Sequence, residues 1–212
     1  MDKKLIDKRW RKTNLISWLL QITPFIRFIG ICGSMSFGNV RENSDIDVFI
    51  ISKNKRIWIC FAISRLILKM TGQLRSNNIN RAGKVCPNRY VTDKYLIINP
   101  QNAYLANQYS HMVPIFDEKD YYCKFLIANS WMENFGAAKP VCALNIVRSN
   151  SLNFFRYVLE AILYGSFGNW LEKYSGKLML KKIAKVEPTL NQENSTVIAN
   201  NNEIRIHPYH SK

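Results

Sequence analysis

Acidic residues are scarce in this sequence. Its 212 residues include 30 Lys and Arg but only 15 Asp and Glu, which gives a formal net charge of +15. A strongly basic chain favours anionic partners such as a nucleoside triphosphate, RNA or a phosphorylated small molecule. The positive charge is mostly spread out, with local clusters at 3–12 and 177–185, and no RNA-binding sequence motif accompanies it. Because a diffuse basic surface is most often only solvated, polynucleotide binding is the weaker expectation.

The sequence also lacks the patterns of several common ligand sites. The cysteines are Cys32, Cys60, Cys86, Cys123 and Cys142. They form no C-x-x-C pair and most lie in apolar segments, so buried free thiols in a reducing cytoplasm are expected. The three histidines form no recognisable metal site. The absence of a P-loop disfavours a kinase or ATPase of that type.

No segment predicts a membrane span or a secretory signal. The apolar run at 15–20 follows basic residues, but polar residues and Pro24 interrupt what comes next, and no small-residue cleavage site follows. The run at 57–70 is short for a span and contains Arg65, so we expect a buried helix that packs on a sheet. We therefore expect a cytoplasmic protein without a membrane partner.

The most informative stretch is the polar turn at 33–47, which lies between two short apolar runs. The first run leads into Gly33-Ser34, and Asp45-Ile46-Asp47 opens the second. Both runs are typical of buried strands. Because residues i and i+2 of a strand point to the same face, Asp45 and Asp47 should place two carboxylates side by side. Such carboxylates repel each other, and one pKa should rise unless a cation lies between them.

Two adjacent carboxylates of this kind predict a divalent metal site. Oxygen ligands with open positions suit Mg²⁺ or Mn²⁺ bound together with substrate phosphates. Gly33 would let the backbone approach a ligand closely, and Ser34 adds a hydroxyl. Ser36 and Gly38 continue a stretch that could begin a helix, whose backbone N–H groups would face an anion. The hydroxyl of Ser44 could cap the turn or hold a carboxylate.

These residues carry a resemblance. Gly33-Ser34, ten intervening residues that end in Ser44, and then Asp45-Ile46-Asp47 resemble the signature of the DNA polymerase beta-like nucleotidyltransferase superfamily, especially its small, minimal bacterial members. A weaker likeness to bacterial members with a helical tail extends over 84–90, 99–116 and 129–131. The resemblance implies an α+β fold, with a small mixed β-sheet core flanked by helices and a mainly helical C-terminal part.

The same resemblance implies a domain organisation. A nucleotidyltransferase-like core with its N-terminal helix is expected at 1–116. A helical region with a loose tail is expected at 117–212.

The implied activity is metal-dependent nucleotidyl transfer. Asp45 and Asp47 would be the catalytic residues and would hold Mg²⁺ or Mn²⁺ against a nucleoside triphosphate, with ATP as the first candidate. The implied nucleotide-binding residues are Gly33, Ser34, Ser36 and Ser44. Arg41 and Lys84 are weaker candidates for phosphate contact. The acceptor hydroxyl stays open and could belong to a small molecule, an RNA end or a partner protein.

The chain departs from the superfamily pattern at the third metal carboxylate, which members generally place on a later strand. The matching strand is expected at 84–91, where Cys86 and Asn88 stand in place of an acid, and Pro87 suggests an edge strand. The nearest downstream acid is Asp93. Three possibilities are open: Asp93 reaches the site, two carboxylates suffice, or the chain is a nucleotide- or RNA-binding module without activity. A regulatory protein that acts through a partner chain, with the basic helices as its interface, is a further alternative.

Helices and strands are expected to alternate along the chain. Expected helices are 4–22, 56–70, one beginning at Asn99-Pro100, one from after Asp117 to Gly136, and much of 149–185; expected strands are 27–33, 46–52, 84–91 and 203–207. The polar residues 73–83 should form a loop near the site. Gly165 and Gly168 should break a helix or allow close packing.

Aromatic residues recur in the last helical stretch. They are Phe154, Phe155, Tyr157, Trp170 and Tyr174. Their spacing is typical of helix packing, which places them in the core, although one of them could stack on a base.

Overall fold

The fold is built on a six-stranded mixed β-sheet with helices on both faces. The structure is a computed structural model that describes residues 3–75, 81–136, 150–186, 190 and 197–206. Its helices are α1 (Lys3–Leu20), α2 (Ile57–Met70), α3 (Ala103–Ser110), α4 (Tyr121–Ala128), α5 (Asn150–Ile162) and α6 (Ser166–Val186). Its strands are β1 (Ile26–Cys32), β2 (Ile46–Ser52), β3 (Val85–Thr92), β4 (Val113–Asp117), β5 (Ile198–Ala199) and β6 (Glu203–Arg205). The predicted α+β class is confirmed.

The strands are arranged in the order β4-β1-β2-β3-β6-β5. β2 and β3 are parallel, and every other neighbouring pair is antiparallel. Because parallel strands need a crossover, α2 returns the chain from the end of β2 to the start of β3. The register aligns Cys32 of β1 with Asp47 of β2, and Asp47 with Cys86 of β3. These three residues therefore form one row across the centre of the sheet.

Each face of the sheet has its own hydrophobic core. Val48 and Ile50 of β2 belong to a cluster with apolar residues of α1 and α2, whereas Phe49 and Ile51 belong to a cluster with residues of α3 and α4. This alternation follows from the two-residue period of a strand. Asp47 has the parity of Phe49, so it lies on the face that α3 and α4 cover.

The prediction that β3 is an edge strand is wrong. β3 lies between β2 and β6. The register opposite β2 shifts so that Val48 pairs with Pro87 and Phe49 with Arg89, which leaves Asn88 as one extra residue on β3. This bulge lets an interior strand contain a proline, which has no N–H to donate.

The segment after β3 also differs from expectation. The helix does not begin at Asn99-Pro100: α3 begins at Ala103, and its N-cap is Asn102, whose Oδ1 accepts a hydrogen bond of 2.9 Å from Leu105 N. The expected helix after Asp117 is shorter than predicted, because α4 is followed by a 3-10 helix, Ser130–Phe135. The sequence analysis missed β4, whose alternation is too short to detect but which pairs with β1.

The expectation of buried aromatic side chains in α5 and α6 is wrong. Phe154, Phe155, Tyr157, Trp170 and Tyr174 are all exposed. The residues that α5 and α6 bury are mostly small or charged, including Arg156, Ser175 and Gly176. The outer faces of both helices are therefore rich in aromatic side chains.

The predicted break between the last two helices is confirmed. Gly165 has a φ of +88° and separates α5 from α6. A Cβ at Gly168 would overlap with the carbonyl oxygen of Leu163, so this position allows close packing as expected.

The domain boundary and the C-terminal tail compare with expectation as follows. The boundary between 116 and 117 stays a prediction; β4 runs across it, and β6 pairs with β3 from the other side. The predicted strand at 203–207 is confirmed as β6 up to Arg205, and most of the tail from 187 lies outside the described residues. Within the described residues, no helix is both long and apolar enough to cross a membrane.

The cysteines only partly follow expectation. Cys32, Cys60 and Cys86 are buried free thiols. Cys123 is disulfide-bonded, contrary to expectation, and Cys142 lies outside the described residues.

A buried ion-pair network fastens α5 to the sheet. Arg27 of β1 makes a two-bond contact with the carboxylate of Glu160, at 2.8 Å for each nitrogen–oxygen pair. Glu118 contacts Arg27 and Arg156 at 3.1 Å each. The backbone N–H of Phe25 also donates to Glu160 at 2.7 Å. These contacts compensate the two guanidinium groups, which would otherwise lie uncompensated in the interior.

We predict that Glu160→Ala destabilises the protein by about 3–5 kcal/mol, because it leaves the buried guanidinium of Arg27 with fewer partners. Urea unfolding followed by circular dichroism measures the change. Glu133→Ala, which removes an exposed carboxylate, is the matched control and should change stability by less than about 0.5 kcal/mol. Equal unfolding midpoints for the two variants would contradict the structural role of this network.

Candidate functional site

Asp45, Asp47 and Cys86 converge at the start of β2. One ligand atom of each residue lies within 4.8 Å of the others. Asp45 immediately precedes β2 and Asp47 is its second residue, so the strand geometry brings their carboxylates together as predicted. Cys86 comes from the parallel neighbour β3, where it is the register partner of Asp47.

Gly33 makes room for the carboxylate of Asp47. It follows β1 with a φ of +67°, a conformation that favours glycine. A Cβ at this position would overlap with Oδ2 of Asp47. Gly33 therefore meets two requirements at once, the turn of the backbone and the close approach of the acid, and only glycine satisfies both.

Cys86 occupies the place on β3 where the resemblance implies a third carboxylate. Burial raises the pKa of this thiol, and the neighbouring Asp47 and Asp45 carboxylates raise it further, so the thiol is neutral. A neutral sulfur is a poor ligand for Mg²⁺ or Mn²⁺, which prefer oxygen.

Asp93 does not reach this site. Its backbone N–H donates to the carbonyl of Ser52 at 2.8 Å, and its Oδ1 accepts from Asn54 N at 2.9 Å. Ser52 is the last residue of β2, whereas Asp47 is near the first. A strand rises by about 3.3 Å per residue, so the two acids lie at opposite ends of the sheet, and this possibility is excluded.

The sequence analysis missed Arg75, which pairs directly with Asp45. Its Nη1 donates to Oδ2 of Asp45 and lies 3.9 Å from Sγ of Cys86. Arg75 lies at the start of the polar stretch that was expected to form a loop near the site, and this expectation is confirmed for its described part. No local sequence motif distinguishes Arg75 from the other arginines of this basic chain. Arg75 reaches Asp45 only because the chain returns beside β2.

The two carboxylates are in an electrostatically unfavourable position. Burial, followed by repulsion from Asp45, raises the pKa of Asp47 to about 7. The charge of Arg75 and a hydrogen bond with Cys86 oppose this shift without cancelling it. A divalent cation would stabilise the ionised form of both acids. The residues thus fit such a cation through their oxygen atoms, with other positions left to phosphate or water.

The serines organise the turn between β1 and β2. Oγ of Ser36 donates to the carbonyl of Gly33 at 2.9 Å, and Oγ of Ser44 accepts from Arg41 N at 3.0 Å. Ser44 therefore caps the turn, which was one of its two expected roles. Ser34 is half-buried, and its carbonyl accepts from Asn39 N at 2.9 Å.

The expected helix after Gly33 is only the 3-10 helix Gly33–Met35. The amides of Ser36 and Phe37 donate to the carbonyl of Gly33, and that of Gly38 donates to Met35. These three amides are thus engaged within the turn, and contact between the start of this short helix and an anion stays a prediction. Lys84 is also committed elsewhere, because its Nζ donates to the carbonyl of Gly72. Arg41 is exposed.

Tyr104 of α3 lies within the electrostatic field of the Asp47 carboxylate. Tyr104 is 45% exposed, and the Asp47 carboxylate, after burial, raises its pKa, which places the phenol in the field of that acid. The rings of Phe37 and His111 lie 4.8 Å apart, which joins the turn after β1 to the end of α3. The sequence analysis missed this contribution, because it depends on α3 returning toward the turn after β1.

Comparison of the chain with protein-family models, curated proteins and solved structures found no significant match. The resemblance to the polymerase beta-like superfamily therefore depends on the motif at 33–47 and stays a prediction.

We predict that Asp47→Asn stabilises the metal-free protein at pH 8. Between the usual aspartate pKa of 3.8 and about 7, the folded chain retains a proton that the unfolded chain releases. The stability of the native protein therefore falls as the pH rises through this interval, and the amide removes that decline. We expect the variant's Tm to exceed the native value at pH 8 by about 3 °C or more, and not at pH 4.

Thermal unfolding in chelator across this pH range measures the effect. Asp7→Asn, at an exposed position of α1, should follow the native curve. Parallel plots of Tm against pH for the native protein and Asp47→Asn would contradict this prediction, because they would mean that folding does not raise the pKa of Asp47.

Proposed function

We propose that the protein transfers a nucleoside monophosphate from a nucleoside triphosphate to an acceptor hydroxyl. The acceptor oxygen forms a bond to the α-phosphorus, the bond from that phosphorus to the β-phosphate oxygen breaks, and pyrophosphate leaves with its electron pair. The acceptor proton passes to solvent or a nearby base. The observation that carries this proposal is the convergence of Asp45 and Asp47 against the Gly33 turn.

Each residue has a role that follows from its position. Asp45 and Asp47 would hold Mg²⁺ or Mn²⁺, which supplies charge for the phosphates and lowers the pKa of the acceptor hydroxyl. Gly33 keeps the approach to Asp47 free of a side chain. Ser34 offers a hydroxyl next to this turn. Arg75, which forms an ion pair with Asp45, would be released toward the phosphates when a divalent cation binds that carboxylate.

One observation favours a second candidate, a nucleotide-binding protein without transfer activity. Cys86 replaces an oxygen ligand, and the guanidinium of Arg75 already supplies a cation beside Asp45. In such a protein Arg75 would contact the phosphates permanently and no divalent ion would be needed. The two candidates therefore differ in their dependence on metal.

The remaining features of the function are also proposals. ATP is the first nucleotide to test, and the acceptor could be a small molecule, an RNA end or a partner protein. We propose the cytoplasm as the compartment because three thiols are free and buried. The disulfide at Cys123 counts against this compartment, since disulfides are rare in cytosolic proteins.

Isothermal titration with a non-hydrolysable ATP analogue, with and without Mg²⁺, tests the proposal. We expect binding that requires Mg²⁺ and that is lost in Asp45→Asn/Asp47→Asn. Asp93→Asn, which changes an acid at the opposite end of β2, should bind like the native protein. Metal-independent binding would favour the second candidate, and the absence of binding to any nucleoside triphosphate would refute both.

A second variant tests the place of Cys86. Cys86→Asp adds the missing oxygen ligand, and we expect it to tighten Mg²⁺ binding by roughly ten-fold or more, since affinity rises with the number of charged ligands. Cys86→Asn, which has a similar shape without the charge, should not tighten binding. Equal affinities for these two variants, measured by Mg²⁺ titration, would mean that position 86 does not face the metal.

A further inference from the structure

A cleft lies between α6 and the start of α2, far from Asp45 and Asp47. Its volume is about 670 Å³. The segment that follows β2, the indole of Trp58, one side of α6 and the turn between β5 and β6 line it. Because β2 rises by about 3.3 Å per residue, this cleft is roughly 20 Å from Asp47, at the other end of the strand. We call it the α6 cleft.

The rim of the α6 cleft is basic. Lys55, Lys173 and Lys177 line it and are exposed. Within the described part of the chain, none of these three ammonium groups forms an ion pair. Three uncompensated cations around one concave surface favour an anionic ligand.

The acid in the α6 cleft does not oppose such a ligand strongly. The two carboxylate oxygens of Glu172 accept hydrogen bonds of 2.9 Å from the backbone N–H groups of Trp58 and Ile59. Glu172 thereby occupies the N-terminus of α2 and directs its charge inward. Its charge is also partly offset by Arg56, which lies in the same cleft.

The walls of the α6 cleft are mostly apolar and carry a few polar groups. Gly176 lets the indole of Trp58 lie against α6, where an added Cβ would be only 3.0 Å from the ring. The indole Nε1 donates to Asn201 at 2.9 Å. Asn54, Asn169 and Asn202 supply further amide groups to the lining.

A ladder of aromatic rings runs along α6 beside this cleft. The rings of Phe167 and Trp170 lie 6.1 Å apart at 21°, and those of Trp170 and Tyr174 lie 5.5 Å apart at 10°. Trp170 and Tyr174 remain 58% and 54% exposed. Rotation by about 100° per helical residue puts Lys173 and Lys177 between these rings and the cleft. Cationic and aromatic side chains are therefore neighbours on one helix.

The properties of this surface select among possible occupants. The net charge of +15 disfavours a second copy of the chain on a basic surface. A flat lipid surface would not enter a concave cleft or make use of nearly parallel rings. A nucleic-acid base, in contrast, can stack on the exposed parts of these rings while phosphates contact the lysines.

We propose that the α6 cleft and the aromatic ladder bind a single-stranded polynucleotide. Lys173 and Lys177 contact successive phosphates, and Trp170 and Tyr174 stack on bases. This binding is independent of nucleotidyl transfer, since it uses none of the residues at Asp45 and Asp47. Its chemistry is common to RNA and DNA, and only the 2′-hydroxyl separates the two.

Fluorescence anisotropy tests the proposal with fluorescein-labelled single strands of about 12 nucleotides, a length within the range of known single-strand sites. Mixed-sequence RNA, the matching DNA and the corresponding duplex are compared on the full chain. We expect either single strand, or both, to bind more tightly than the duplex, whose bases are already stacked. A preference for RNA would point to contact with the 2′-hydroxyl, and equal binding to contact with phosphates and bases alone.

Two double variants separate the two kinds of contact. Lys173→Gln/Lys177→Gln should weaken binding and reduce the slope of log affinity against log salt by about 1.4, since each single-strand phosphate contact contributes about 0.7. Trp170→Ala/Tyr174→Ala should weaken binding by about five-fold or more and leave the salt slope unchanged.

Each double variant has a matched control. Lys69→Gln/Lys182→Gln removes two exposed charges away from the cleft rim, and Phe154→Ala/Phe155→Ala removes two exposed rings of α5. Both controls should bind within about two-fold of the native protein. Circular dichroism and the urea midpoint establish that all four variants are folded. Asp45→Asn/Asp47→Asn should bind the single strands normally, so failure of the transfer proposal would leave this one intact.

Three outcomes would overturn the proposal. The first is equal affinity for single strand and duplex. The second is an equal loss in the cleft variants and in their matched controls, which would indicate diffuse attraction to a basic protein. The third is binding to vesicles of phosphatidylserine and phosphatidylcholine that depends on Trp170 and Tyr174, without oligonucleotide binding.

Discussion

The pairing of three central strands is the constraint on which the rest of this structure depends. β1, β2 and β3 are buried on both faces, so their register cannot slip without moving apolar side chains into the wrong layer. That register sets Cys32, Asp47 and Cys86 in one row. It also explains why an aspartate that the surrounding protein disfavours stays in place. Burial of the apolar residues on either side of Asp47 fixes the position of β2, and the position of β2 fixes that of Asp47.

The cluster at the start of β2 is consistent with a cation site that is locally incomplete. Gly33 makes room for the carboxylate of Asp47, and burial together with the charge of Asp45 raises the pKa of this carboxyl to about 7. Arg75 partly compensates the pair. Cys86 adds a neutral sulfur where an oxygen would complete a coordination shell for a hard cation. This balance makes metal dependence the property that separates a transferase from a nucleotide-binding protein.

The excess positive charge is more localised in the structure than its spread along the sequence indicates. Buried arginines such as Arg27 and Arg156 are consumed in ion pairs that attach α5 to the sheet. The lysines of α6 are exposed instead, beside stacked rings and the α6 cleft. The acids of these two helices that form contacts, Glu160 and Glu172, face inward. The outer surface of α6 is therefore both cationic and aromatic. This combination suits the binding of a polynucleotide better than packing in a protein core.

The sequence by itself determined the strand–turn–strand core, because its apolar runs and the Gly33, Asp45 and Asp47 pattern are local features with a local cause. It also determined the α+β class and the helical break at Gly165. Tertiary structure decided what depends on distant segments meeting: the interior position of β3 despite Pro87, the exclusion of Asp93, the contact of Arg75 with Asp45, and the exposure of Trp170 and Tyr174. Periodicity indicates which face of a helix is aromatic, but only the packing of α6 on α2 determines whether that face meets the core or the solvent.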